Sequence, residues 1–91
     1  MSQMVKVTPK AMSAMESIPR GIRVKARRAV DWLKSDNEKS LKPITLSKKQ
    51  RLFRSALGNG YWLVYAKQDD VTRIVDIVQE SNVSTVMRSN K

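Results

Sequence analysis

From Tyr61 to Lys67 and again from Val71 to Val78, apolar residues recur at or near every second position, the period of a β-strand. The polar turn Gln68-Asp69-Asp70 separates the two runs. A third alternating stretch, Arg51 to Leu57, sets Phe53, Ser55 and Leu57 on one face and Leu52, Arg54 and Ala56 on the other. Gly58-Asn59-Gly60 follows it and supplies the positive-φ residues of a tight hairpin. The run Val71 to Val78 alternates imperfectly, as suits a strand covered on both faces.

The period changes in the N-terminal half. After a short strand ending at Val7, Thr8-Pro9 offers a hydroxyl N-cap and a proline in the first helical turn. Ala11, Met15 and Ile18 keep helical spacing until Pro19 stops the segment. Ile22, Ala26, Ala29 and Leu33 then form a second apolar stripe, with Arg20, Arg23, Arg27, Arg28 and Lys34 lying off it. Met12 and Met15 read as core filler, Trp32 as packing beside the second stripe, and Asp69 and Asp70 as turn residues. Ser35-Asp36-Asn37 ends the second helix, and Glu38 to Gln50 is a lysine-rich loop with room for a brief strand at Ile44 to Leu46.

The expected fold is α+β: a short N-terminal strand, then a helical hairpin packed on a twisted, mainly antiparallel sheet of about four strands. Residues 1–80 form one domain and 81–91 a polar tail, in which Val83, Val86 and Met87 are able to dock.

Charge adds a second layer. The net charge is +10, of which residues 20–54 carry +9. A charge so concentrated suits a polyanion, an acidic protein or a solvated surface. The chain has neither cysteine nor histidine, which excludes disulfides, thiolate metal sites and the usual neutral-pH general base. No metal or cofactor is expected. No run approaches the about 18–20 apolar residues of a membrane span, and Met1 to Lys10 lacks the apolar centre of a signal peptide. The cytoplasm is the expected compartment, with no membrane partner.

Several side chains stand out against this frame. Arg54 is the lone cation in a weakly apolar row near the lysine loop, suited to binding phosphate or to pairing with Asp76 across the sheet. Tyr61 and Tyr65 share a face with Leu63 and belong to the core or its margin. Trp62 then points outward, where it would stack on a base or anchor a protein contact. Lys48, Lys49 and Arg51 form a patch beside Arg54. Arg23, Arg27 and Arg28 face phosphate, an acidic partner or solvent.

The order of elements, with Leu52-Phe53-Arg54, then Gly58-Asn59-Gly60, then Tyr61-Trp62-Leu63-Val64-Tyr65, resembles the RelE/ParE superfamily of bacterial toxins. The resemblance covers about Met4 to Val78. It implies one of two activities: cleavage of mRNA on the ribosome, or non-enzymatic inhibition of DNA gyrase or another nucleoprotein machine. It also implies an acidic or amphipathic antitoxin, and leaves a homodimer open. Cleavage in this family uses the RNA 2′-hydroxyl as nucleophile, without metal, and needs a base, a charge stabiliser and an acid. By resemblance Arg54 is the charge stabiliser, with Lys49 and Tyr65 completing the catalytic set. Lys48, Arg51, Trp62, Tyr61, Arg23 and Arg27 would bind nucleic acid. The chain departs from the family pattern in having Trp62 where an arginine is common. Gln79-Glu80-Ser81-Asn82-Val83 replaces a basic cluster, and after it only Arg88 and the final Lys91 are cationic.

Overall fold

Each periodic segment becomes an element in the computed structural model, which describes residues 4–83. Strand β1 is Met4–Val7, helix α1 Pro9–Ser17 and helix α2 Arg20–Lys34. A 3-10 turn at Glu38–Leu41 leads to β2 Ile44–Ser47, β3 Leu52–Gly58, β4 Tyr61–Gln68 and β5 Val71–Gln79. The sheet order is β1-β5-β4-β3-β2. β1 runs parallel to β5, and every other pairing is antiparallel. The sheet has five strands rather than about four, because Ile44–Ser47 pairs with β3 as an edge strand. Val86, Met87 and Arg88 lie outside the described residues.

The helical hairpin is built by local chemistry. Thr8 Oγ1 accepts from the Ala11 N–H at 3.1 Å, satisfying one orphan donor of α1, and donates to the Val75 carbonyl at 2.9 Å. Val75 is the extra residue of a bulge, since Val64 pairs with Asp76 while Tyr65 pairs with Ile74. One hydroxyl thus caps a helix and ties it to the irregular point of the neighbouring strand. At the other end of α1, the Arg23 guanidinium donates to the carbonyls of Met15 and Glu16 at 2.8 and 3.1 Å. These are carbonyls that the helix leaves unpaired.

The α2 stripe Ile22, Ala26, Ala29 and Leu33 is buried as its spacing predicts, joined by Val30. It packs with Ala11 and Ile18 on a sheet face made by Leu57, Leu63, Tyr65, Ile74 and Ile77. Met12 departs from expectation: Ala11 and Ile18 take the inward side of α1, and Met12 stays 57% exposed while Met15 is half-buried. The opposite sheet face carries a second cluster of Leu52, Val64 and Val78, with Val83 folding back onto it. Both faces of β5 are therefore covered, as its imperfect alternation predicts.

The β3–β4 hairpin closes through Asn59 and Gly60, at φ 53° and 79°, with Gly58 at φ 97° just before them. A Cβ on Gly58 would lie 3.0 Å from Lys25 Nζ, a flexible group that can withdraw. Backbone conformation, rather than space, is then the main obstacle. Gly58→Ala is expected to destabilise the domain by about 1–2 kcal/mol, measured by urea unfolding. An unchanged midpoint would show that the turn does not constrain the fold.

Candidate nucleic-acid interface

Even-numbered positions of β3 and β4 face away from the helices, which puts Arg54 and Trp62 on the same side of the sheet. Arg54 pairs with Val64, and Trp62 with Ala56, so the two residues are diagonal neighbours. The guanidinium carbon of Arg54 lies 4.2 Å from the Trp62 ring centroid. Its Nη1 donates to Glu80 Oε2 at 2.9 Å, while its Nε is buried with no hydrogen-bond partner among the described residues. Asp76, the alternative cross-sheet partner for Arg54, instead receives Lys10 at 3.4 Å and the Ile77 N–H at 2.8 Å.

The two contacts on Arg54 differ in kind. Stacking on a half-buried indole orients the planar cation and contributes about 0.5–2 kcal/mol. The ion pair involves a Glu80 side chain that is 60% exposed, and such pairs contribute about 0–1 kcal/mol. Glu80 is therefore a weakly held anion on a pre-oriented guanidinium. Phosphate oxygens can take its place, and a bidentate charge-assisted contact would exceed what is given up. The stack occupies one face of Trp62, so a base would use the remaining exposed part of the ring.

Lys48, Lys49 and Arg51 lie in the turn between β2 and β3, all exposed. Arg51 adopts φ 52° there, and its carbonyl accepts from the Lys67 N–H at 3.0 Å. The turn ends directly at Leu52, two residues before Arg54 on the same face.

Tyr65 is placed elsewhere. It faces the helices, is 0% exposed, and stacks on Phe53 with ring centroids 5.6 Å apart. Its hydroxyl donates to Glu38 Oε2 at 2.7 Å, and Lys67 Nζ donates to Glu38 Oε1 at 2.6 Å. Burial and then the Glu38 carboxylate push the Tyr65 phenol well above its ordinary range. Burial would raise Glu38, but the hydrogen bonds from Lys67 and Tyr65 outweigh it and leave this carboxyl below its usual value. Tyr61 is half-buried on the helix side, its hydroxyl accepting from Gln79 Nε2 at 3.2 Å. Arg23 is committed to the α1 terminus, and Arg27 is exposed on α2. The fold thus brings Arg54 against Trp62 and sets the turn carrying Lys48, Lys49 and Arg51 at the start of β3, while Tyr61 and Tyr65 lie on the opposite sheet face and Arg23 and Arg27 on α2.

Glu80, Glu38 and Lys67 do not stand out in the sequence. Glu80 belongs to a segment marked only by its shortage of cations, and nothing local tells that it curls back over β3. Among the described residues, no group of three or more His, Cys, Asp or Glu is placed to hold a metal ion. No helix among them is long and apolar enough to cross a membrane.

No family model matches the chain, and no curated protein matches it by sequence. Solved structures do match its shape. The RelE–RelB complex of Pyrococcus horikoshii aligns with a TM-score of 0.72 at 21% identity, covering 91% of this chain and 100% of the other. A free, arginine-substituted RelE of E. coli gives 0.71 at 16%, covering 97% and 93%. The E. coli DinJ–YafQ toxin–antitoxin complex gives 0.74 at 8%, covering 91% and 98%. The chain therefore has the RelE-like toxin fold, as the resemblance in its sequence implies.

Proposed function

We propose that this chain is the toxin of a toxin–antitoxin pair, a RelE-type protein that acts on ribosome-bound mRNA in the cytoplasm. One observation carries the reading: a guanidinium oriented by an indole on the face away from the helices, next to an exposed cationic turn. In the proposed reaction the RNA 2′-hydroxyl attacks the adjacent phosphate. The P–O5′ bond breaks as the 2′,3′-cyclic phosphate forms. Arg54 stabilises the pentacoordinate charge, and Lys48, Lys49 and Arg51 hold flanking phosphates. Lys49 is the proposed proton-transfer group at the open face: its ammonium gives a proton to the departing 5′-oxygen, while the 2′-hydroxyl proton passes to solvent water. Tyr65 belongs to the support of the sheet in this scheme, because a phenol without exposed surface does not reach a bound phosphate. Complexes with antitoxins among the structural neighbours support an antitoxin partner for this chain as well.

Addition of the full chain to a bacterial translation extract is expected to produce new mRNA 5′ ends, mapped by primer extension, on translated messages only. Intact message at excess protein would overturn the nuclease reading. Glu80 favours a second reading, a non-enzymatic binder of the same fold, because its carboxylate already neutralises Arg54. That reading expects intact message together with inhibition of gyrase supercoiling or of another nucleoprotein machine.

A further inference from the structure

The parallel pairing of β1 with β5 creates a row of side chains that no local sequence window contains. Lys6 pairs with Arg73, Arg73 with Ala66, and Ala66 with Leu52, in four adjacent strands. All four positions lie on the Arg54 side of the sheet. Adjacent strands are about 4.8 Å apart, and Arg54 lies two residues, about 7 Å, along β3 from this row. Two abutting grooves sit at this end of the sheet. One, of about 440 Å³, is lined by Lys49, Arg51, Lys67 and Arg73 with Gln50 and Asp69. The other, of about 360 Å³, adds Lys6 and shares Arg73, Gln68 and Asp69 with the first.

We propose that these grooves form a second, extended binding site for the backbone of a single RNA strand, running from the β2–β3 turn past Arg73 to Lys6 at the β1 edge. The proposal rests on the RNA-directed reading above, which selects RNA among polyanions, and adds Lys6 and Arg73 to it. Charge identifies the ligand as a polyanion. Five cations face one lining carboxylate, Asp69, and only Lys67 is internally paired, with Glu38. Lys6, Lys49, Arg51 and Arg73 make no ion pair among the described residues. The walls decide between an acidic peptide and a nucleic acid. Only Ala66 and Val71 contribute apolar side chains, so an amphipathic protein segment finds nothing here to bury its anchors. A phosphodiester backbone needs only cations.

The test measures binding of an end-labelled single-stranded oligoribonucleotide to the full chain by anisotropy, across a salt series. The double variant Lys6→Gln/Arg73→Gln is expected to reduce the slope of log K against log salt by about 1.4, about 0.7 for each phosphate no longer neutralised. The paired variant Arg20→Gln/Lys34→Gln, on the outer side of α2, is expected to leave the slope unchanged. Thermal unfolding of each variant checks that the fold is retained. An unchanged slope in the folded Lys6/Arg73 variant would overturn the site. So would a larger reduction in the α2 variant, or groove-dependent binding of oligo-glutamate with none of RNA. Message cleavage is read separately. Groove-dependent RNA binding without cleavage sustains the site and ends the nuclease reading. Cleavage with an unchanged slope does the reverse.

Discussion

Arg54→Ala is expected to lower message cleavage by about 10²–10³-fold, the loss typical of removing one donor aimed at transition-state charge. The fold should survive. The substitution removes one stack and one exposed ion pair, together about 0.5–3 kcal/mol, against a total stability of about 5–15 kcal/mol. Circular dichroism and the unfolding midpoint check that point directly. Arg54→Lys is expected to restore little. A lysine places a point charge without the planar fork, and it lacks the stack that orients the group over Trp62. Glu80→Gln has the opposite sign: it removes the anion that competes with phosphate for Nη1, so RNA affinity at low salt should rise. Full cleavage by folded Arg54→Ala protein would remove Arg54 from the mechanism. Weakened RNA binding in Glu80→Gln would make that carboxylate a functional group rather than a place-holder.

Tyr65→Ala should come close to unfolding the domain, at a cost of about 3–5 kcal/mol for a large aromatic truncated in a packed interior. Tyr65 is fully buried among the residues that join the sheet to the helices, and it holds the 3-10 turn through Glu38. Tyr65→Phe keeps the packing and removes only the donor to Glu38, costing about 1–3 kcal/mol. It is expected to retain cleavage. A folded Tyr65→Phe protein without activity would return the phenol to the catalytic set.

The same trio sets two pH limits. Glu38 is depressed in the folded state, so its contribution is present above its unfolded value, about 4.3–4.5. It is lost as pH falls through the lower folded value. Tyr65 is raised in the folded state, so its contribution is intact below about pH 10 and declines as the unfolded phenol ionises above that. Stability measured against pH should therefore fall on both sides; Tyr65→Phe should flatten the alkaline side and, by removing one of the bonds that depress Glu38, weaken the acid side as well. An alkaline limb unchanged by Tyr65→Phe would show that another group causes it.

Much of the architecture is legible in the sequence because it is encoded at short range. Alternation places Phe53, Ser55 and Leu57 on one face and Arg54 on the other, and the structure keeps that division. The same parity sends Trp62 outward once Tyr61 and Leu63 are assigned to the core. Gly58-Asn59-Gly60 marks its hairpin because few other residues adopt those positive φ values. Thr8-Pro9 and Pro19 mark helix ends for equally local reasons. Ile44–Ser47 sits where the sequence leaves room for a brief strand at Ile44 to Leu46: its alternation covers only four residues, and pairing with the open edge of β3 makes it part of the sheet.

The candidate site divides along the same line. By itself, the sequence determined which residues share a face, where the chain turns, and that the positive charge gathers in residues 20–54. Only the tertiary structure decided what each charge meets. Glu80 reaches Arg54 from 26 positions away, because the 3-10 turn after β5 sets its side chain over the sheet face on which Val83 packs. Glu38 reaches Tyr65 from 27 positions away, through a 3-10 turn held against β3 by the 2.7 Å bond from Ser55 to Leu41. Lys6 meets Arg73 because the helical hairpin lets β1 return parallel beside β5. Side-chain parity is a property of a few neighbouring dihedral angles, and so it can be read along the chain. The partner of a charged group is set by register, bulge and chain return, and these exist only once the whole sheet has closed.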